Sequence, residues 1–98
     1  MRNLRFEWDP AKSDANRRKH GVTFDEAATV FLDEHALLIA DPDHSDSEDR
    51  FILLGVSVAL RILVVCHCDR ADGDVIRIIS ARKATTAECE QCFRRNRR

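Results

Sequence analysis

Three strand-like segments, about Arg50–Val56, Arg61–Cys68 and Val75–Arg82, follow one another with only four and six residues between them. A crossover between parallel strands takes about a dozen residues or more. These segments must therefore be antiparallel neighbours in one sheet. Asp72-Gly73 marks the second of the two turns, because that dipeptide accepts the backbone angles a tight hairpin needs.

The remaining elements can be placed around this sheet. Phe6 and Trp8 alternate with Arg5 and Glu7, which suggests a short first strand. Asp9-Pro10 starts a helix: the carboxylate caps free amides, and proline at the first helical position forfeits no hydrogen bond. The last turn, Arg17-Arg18-Lys19-His20, suits the negative end of the helix dipole, and Gly21 closes it. Thr23-Phe24-Asp25-Glu26 has the form of a capping box, with Val22 as a staple, and opens a second helix ending near Leu32. Ala36–Ile39 reads as a strand and Asp41–Ser47 as an acidic surface loop. Thr85-Thr86-Ala87-Glu88 is another capping box, opening a helix that runs into Arg94–Arg98. The order β-α-α-β-β-β-β-α predicts an α+β fold: an antiparallel sheet with helices packed on one face.

The chain has 98 residues, enough for one core, so residues 1–98 are expected to form a single domain. A hydrophobic share of 44% argues against disorder. The longest apolar stretch, Phe51–Leu60, is broken by Gly55 and Ser57 and falls short of the roughly 18–20 residues of a membrane span. The charged N-terminus has no signal-peptide h-region, so the expected location is cytoplasmic, without membrane attachment. Charge is divided along the chain: residues 1–20 carry +3, residues 21–60 carry −8 with Arg50 the only cation, and residues 61–98 carry +4. If the two ends pack together, one surface is basic and another acidic. The basic surface suits phosphate.

Glycine-rich phosphate loops, H-E-x-x-H, G-x-S-x-G and dinucleotide fingerprints are absent from the sequence. Cys66, Cys68, Cys89 and Cys92 invite a zinc reading, but no C-x2-C pair repeats, so reduced core thiols are expected and no metal or cofactor. A basic set on regular structure remains. His67 lies on a strand opposite Cys66 and Cys68, and Arg77 interrupts the apolar Val75–Ile79. Arg77 calls for either a carboxylate such as Glu48 or Asp69, or a phosphate, which its planar fork fits. Ser80, Arg82 and Lys83 end that strand; Arg17, Lys19 and His20 end the first helix. Such a set can cleave RNA by internal transfer: a base deprotonates the 2′-hydroxyl, cations hold the phosphoryl charge, and an acid protonates the leaving 5′-oxygen. The expected catalytic residues are His67 for acid–base work and Arg77, Arg82 and Lys83 for phosphate, with Arg17, Lys19 and Ser80 contacting RNA. Ideal alternation puts Arg77 and Arg82 on opposite faces, so sharing a site requires a bulge or an early strand end.

One ordered series of motifs is more specific. It runs Phe6-Glu7-Trp8-Asp9-Pro10-Ala11-Lys12, Asn16, and Lys19-His20-Gly21-Val22-Thr23-Phe24-Asp25-Glu26-Ala27. It continues with Phe31, Asp41-Pro42-Asp43-His44-Ser45, Arg50-Phe51 and Arg77-Ile78-Ile79-Ser80-Ala81-Arg82-Lys83-Ala84-Thr85. Over about residues 6–88 the chain resembles BrnT-type toxins. The resemblance implies a RelE-like fold and a ribonuclease toxin of a type II toxin–antitoxin pair. It also implies a BrnA-type ribbon-helix-helix antitoxin that neutralises the toxin in a hetero-oligomer and brings it to operator DNA. Two positions depart from the family pattern: the C-terminal helix has no tyrosine, and His67-Cys68 stands where His-Thr is expected. The alternatives are a catalytically inactive module that binds the antitoxin and tunes repression, and a small zinc-binding regulator. An antitoxin holding the toxin inactive is expected to cover residues 1–20 and 61–98 with acidic side chains, occluding Arg82 and Lys83.

Overall fold

The computed structural model describes residues 4–40, 50–70 and 74–96. The expected acidic loop 41–49, the Asp72-Gly73 turn and the terminal Arg97 and Arg98 lie outside them. Five strands, β1 (Arg5–Glu7), β2 (Leu37–Ala40), β3 (Arg50–Val56), β4 (Ile62–Arg70) and β5 (Val75–Lys83), form one sheet in the order β1-β5-β4-β3-β2. The helices are α1 (Pro10–His20), α2 (Phe24–Thr29), extended by a 3₁₀ turn Val30–Leu32, and α3 (Thr86–Asn96). The α+β class and the element order are those expected, and β3-β4-β5 pair antiparallel.

Local signals act as read. Asp9 accepts from the Ala11 N–H at 2.9 Å, and Gly21 closes α1 at φ 70°, a left-handed geometry that glycine adopts without strain. Thr23 caps α2 through the Glu26 N–H. The Glu26 carboxylate does not complete that box; it binds Arg61 and the Ser57 hydroxyl, fastening the β3–β4 turn to α2. The box at α3 is reciprocal: Thr85 Oγ1 accepts from Glu88 N–H and Glu88 accepts from Thr85 N–H.

Two features correct the sequence-based architecture. The sheet is mixed, because β1 pairs parallel with β5. Helices also cover both faces rather than one. Under α1 and α2 lie Val22, Phe24, Ala27 and Val30 against Leu53, Leu63, Val65, Ile76, Ile78 and Ala81. On the opposite face Cys92 of α3 packs on Leu54 and Val64. The reason is visible in β3 and β4, which are apolar on both faces and so need cover on both.

Candidate active site

The β4–β5 register shifts by one residue: Cys66 pairs with Ser80, but His67 pairs with Ile78, leaving Ile79 as an extra residue in β5. A bulge of this kind reverses the alternation beyond it. Before it, Ile76 and Ile78 face α1 and α2; after it, Ala81 does. Arg77, Ser80 and Arg82, which ideal alternation would separate, thus share the α3 face. The register places Arg50, Ile52, Val64 and Cys66 on that face too.

Alpha helix 3 covers only part of this face, over Leu54 and Val64. Beside it opens a cavity of about 250 Å³, bordered by the polar groups His20, Arg50, Ser80 and Arg82 over a floor that includes Ile52, Val64, Cys66 and Ile79. His20 reaches it from the last residue of α1 and Arg50 from the first of β3. Arg82 forms a two-pronged pair with Glu88, at 2.7 and 2.9 Å, and Nη1 also donates to the Lys83 carbonyl. A guanidinium has five N–H groups, so Nε–H and one Nη2–H remain for a ligand. The Arg82 guanidinium holds the Glu88 carboxyl well below the ordinary 4.5, down to about 2. Glu88 therefore stays ionised and anchors Arg82 to the start of α3.

Of the expected site residues, the structure brings Arg82 and Ser80 together. His67 is elsewhere: it is 2% exposed, on the face under α1 and α2, with the Phe31 ring edge-on at 4.8 Å and Phe51 at 6.0 Å. Its Nδ1 is buried and, among the described residues, has no hydrogen-bond partner. The imidazole is sealed beneath the helices and is not among the groups that border the cavity. Lys83 is not at the cavity either: its register partner Leu63 faces α1 and α2, so it lies across the sheet from Arg82. Arg77 shares the α3 face but pairs with Glu7 at 2.7 Å, beside Arg70, at the β1 edge and away from the cavity lining. Its carboxylate partner among the described residues is Glu7 rather than Asp69; Glu48 lies outside them. Arg17 and Lys19 are exposed on α1, with Arg17 paired to Asp14 at 3.1 Å.

Sequence reasoning named His20 among the basic residues without assigning it to the site, and it missed Arg50. The signal for Arg50 was available: it is the one cation in residues 21–60, at the head of an apolar strand. The four cysteines are thiols, not disulfides. Among the described residues, no three or more His, Cys, Asp or Glu side chains gather as a metal site requires, and no helix is long and apolar enough to cross a membrane.

Burial holds the His67 imidazole below its ordinary value of 6.5, outweighing the opposing effects of the Val65 backbone and Asp69. The unfolded chain then binds more protons than the folded one between the lowered value and 6.5, so stability is full above 6.5 and declines as pH falls below it. Thermal unfolding on either side of 6.5 is expected to show a smaller acid-induced drop for His67→Leu than for the wild type. An equal drop in both would contradict this origin.

Comparison with known proteins agrees with the architecture. Residues 8–88 match the family model described as the ribonuclease toxin, BrnT, of type II toxin–antitoxin systems. The crystal structure of the Brucella abortus ribonuclease toxin BrnT is similar, with a TM-score of 0.64 at 21% identity, over 85% of this chain and 99% of that one. At that identity the likeness establishes a shared fold. No curated protein sequence matches the chain significantly. With the family pattern spanning residues 8–88, this chain belongs to the BrnT family of ribonuclease toxins of type II toxin–antitoxin systems.

Proposed function

We propose that the chain is an endoribonuclease that cuts RNA by internal transfer in the cavity on the α3 face of the sheet, over the bulged strand. The observation that carries this reading is the convergence of an imidazole, two guanidiniums and a hydroxyl on one cavity of about 250 Å³. His20 takes the proton of the 2′-hydroxyl, whose oxygen forms a bond to the adjacent phosphorus as the bond from phosphorus to the 5′-oxygen breaks. The 5′-oxygen takes a proton from solvent water as it leaves, giving a 5′-hydroxyl and a 2′,3′-cyclic phosphate. Imidazole suits the proton transfers because it readily takes and returns a proton near neutral pH. Arg50 and Arg82 hold the charge that builds on the phosphoryl oxygens, and Ser80 donates to one of them. Arg17 and Lys19, exposed at the end of α1 beside His20, contact the RNA backbone further along.

These cations supply the stabilisation that a metal supplies elsewhere, so the reaction runs without one. The outcome in the cell is loss of translatable RNA and arrest of growth. A BrnA-type antitoxin neutralises the chain by laying acidic side chains over the Arg82 side of the sheet, and operator DNA is reached only through that antitoxin. Purified chain is expected to cleave RNA to cyclic-phosphate ends in the presence of EDTA, with cleavage suppressed by stoichiometric antitoxin. Activity lost in EDTA and restored by a divalent ion would overturn the metal-free chemistry. A chain that binds antitoxin yet never cuts RNA would favour the inactive binding module.

A further inference from the structure

Asn16 is 7% exposed on α1, yet its side chain is fully engaged. Nδ2 donates to the Val22 carbonyl at 2.8 Å and to the Ala81 carbonyl at 2.8 Å, while Oδ1 accepts from the Ala81 N–H at 3.1 Å. The geometry has a cause in the topology. Strand β1 reaches only Val75–Arg77 of β5, so among the described residues the rest of β5 has no strand neighbour on that side. The Asn16 amide takes that place and binds Ala81 as a paired strand would.

The bonded residues are also the ones that fix the cavity. Ala81 lies between Ser80 and Arg82, just past the bulge, and all three line the cavity. Val22 follows the Gly21 cap, in the connection leaving α1. His20 is four residues after Asn16, so the two lie on one face of α1 a turn apart. Asn16 thereby ties the element that carries His20 to the segment that carries Ser80 and Arg82.

We infer that Asn16 is a positioning residue for RNA cleavage, whose amide sets the distance between His20 and the phosphate-binding bulge. This rests on the proposed function, because it assigns His20 a role in the reaction. Asn16 touches no substrate itself. A misplacement of about 1 Å at a reacting group is enough to cost a large factor in rate.

The test is a double-mutant cycle in single-turnover RNA cleavage, using Asn16→Ala and the milder Asn16→Ser, alone and with His20→Ala. Val30→Ala serves as a destabilised control, since Val30 is fully buried under α2 but does not line the cavity. All variants are compared where thermal unfolding shows them folded. With Asn16 replaced, the cleavage rate is expected to fall about tenfold or more while affinity for a non-cleavable RNA changes about threefold or less. In the His20→Ala background the same replacement is expected to cost about twofold or less, because the two residues act as one unit. Additive losses, or a loss matched by Val30→Ala, would overturn the inference. Histidine-ring NMR of the unliganded chain adds a readout independent of activity. His20 resonances should shift in Asn16→Ser, and their staying in place would overturn the clamp. Failure of wild-type chain to cleave any RNA would instead defeat the functional reading.

Discussion

Replacing Arg82 by alanine is expected to lower the rate of RNA cleavage by about 10²–10³-fold, the usual cost of losing a preorganised group aimed at developing charge. Arg82 lines the cavity, keeps two donor positions after binding Glu88 and the Lys83 carbonyl, and is held at the start of α3 by the Glu88 carboxylate. Arg82→Lys should recover only part of the loss, because an ammonium cannot bind Glu88 and phosphate with one planar fork. Antitoxin affinity should fall alongside, more at low salt than at high salt. Stability also enters, since the partly exposed Arg82–Glu88 pair contributes on the order of 1 kcal/mol. Rates are therefore to be measured well below the melting transition. A variant that is folded and cleaves at the wild-type rate would remove Arg82 from the site.

The largest effect on stability is expected from Gly55→Ala, a single added carbon in β3. A Cβ at that position would lie 2.8 Å from Ala36 Cβ, 2.9 Å from Asp33 Oδ2 and 3.0 Å from Val30 Cγ1. All three distances are well inside van der Waals contact, and two of the neighbours are short, stiff side chains with nowhere to swing. The third, the Asp33 carboxylate, accepts from the Val56 N–H at 2.9 Å and would give up that bond in moving. Overpacking of this kind costs about 1–3 kcal/mol, and the lost hydrogen bond adds about 1 kcal/mol more. For a chain of this size, about 3 kcal/mol corresponds to a melting point lower by ~10 °C or more. A calorimetric shift of less than about 3 °C would show that the 3₁₀ turn and Asp33 can yield.

The fold was largely legible because its constraints are local. Short connections forced β3, β4 and β5 together, and the Asp9, Thr23 and Thr85 caps marked where helices begin. Long-range pairing was not legible in the same way. Three residues of β1 carry no signal for a parallel partner 70 residues away. The expectation of helices on one face and the grouping of His67 with Arg82 have one origin. Strand β4 is apolar on both faces, so alternation set His67 opposite Cys66 and Cys68 without saying which face the first two helices cover.

The site was partly legible for a related reason. The polar positions Arg77, Ser80 and Arg82 change phase along β5, which required a bulge before they could share a face, and the bulge is present at Ile79. Sharing a face was not sharing a site, because Glu7, on a strand whose pairing was unread, holds Arg77 at the edge. His20 and Arg50 enter the cavity only through tertiary packing, from residues 30 apart in the chain. Sequence could rank them by chemistry but could not join them.

The most direct measurement is the crystal structure of the chain with a short RNA whose scissile 2′-hydroxyl is replaced by hydrogen, which allows binding but not internal transfer. The scissile phosphate is predicted to lie on the α3 face between Arg50 and Arg82, within hydrogen-bond reach of both, with His20 directed at the 2′-position. A phosphate seated instead at the Arg70–Arg77 edge, or across the sheet beside Lys83, would contradict the site.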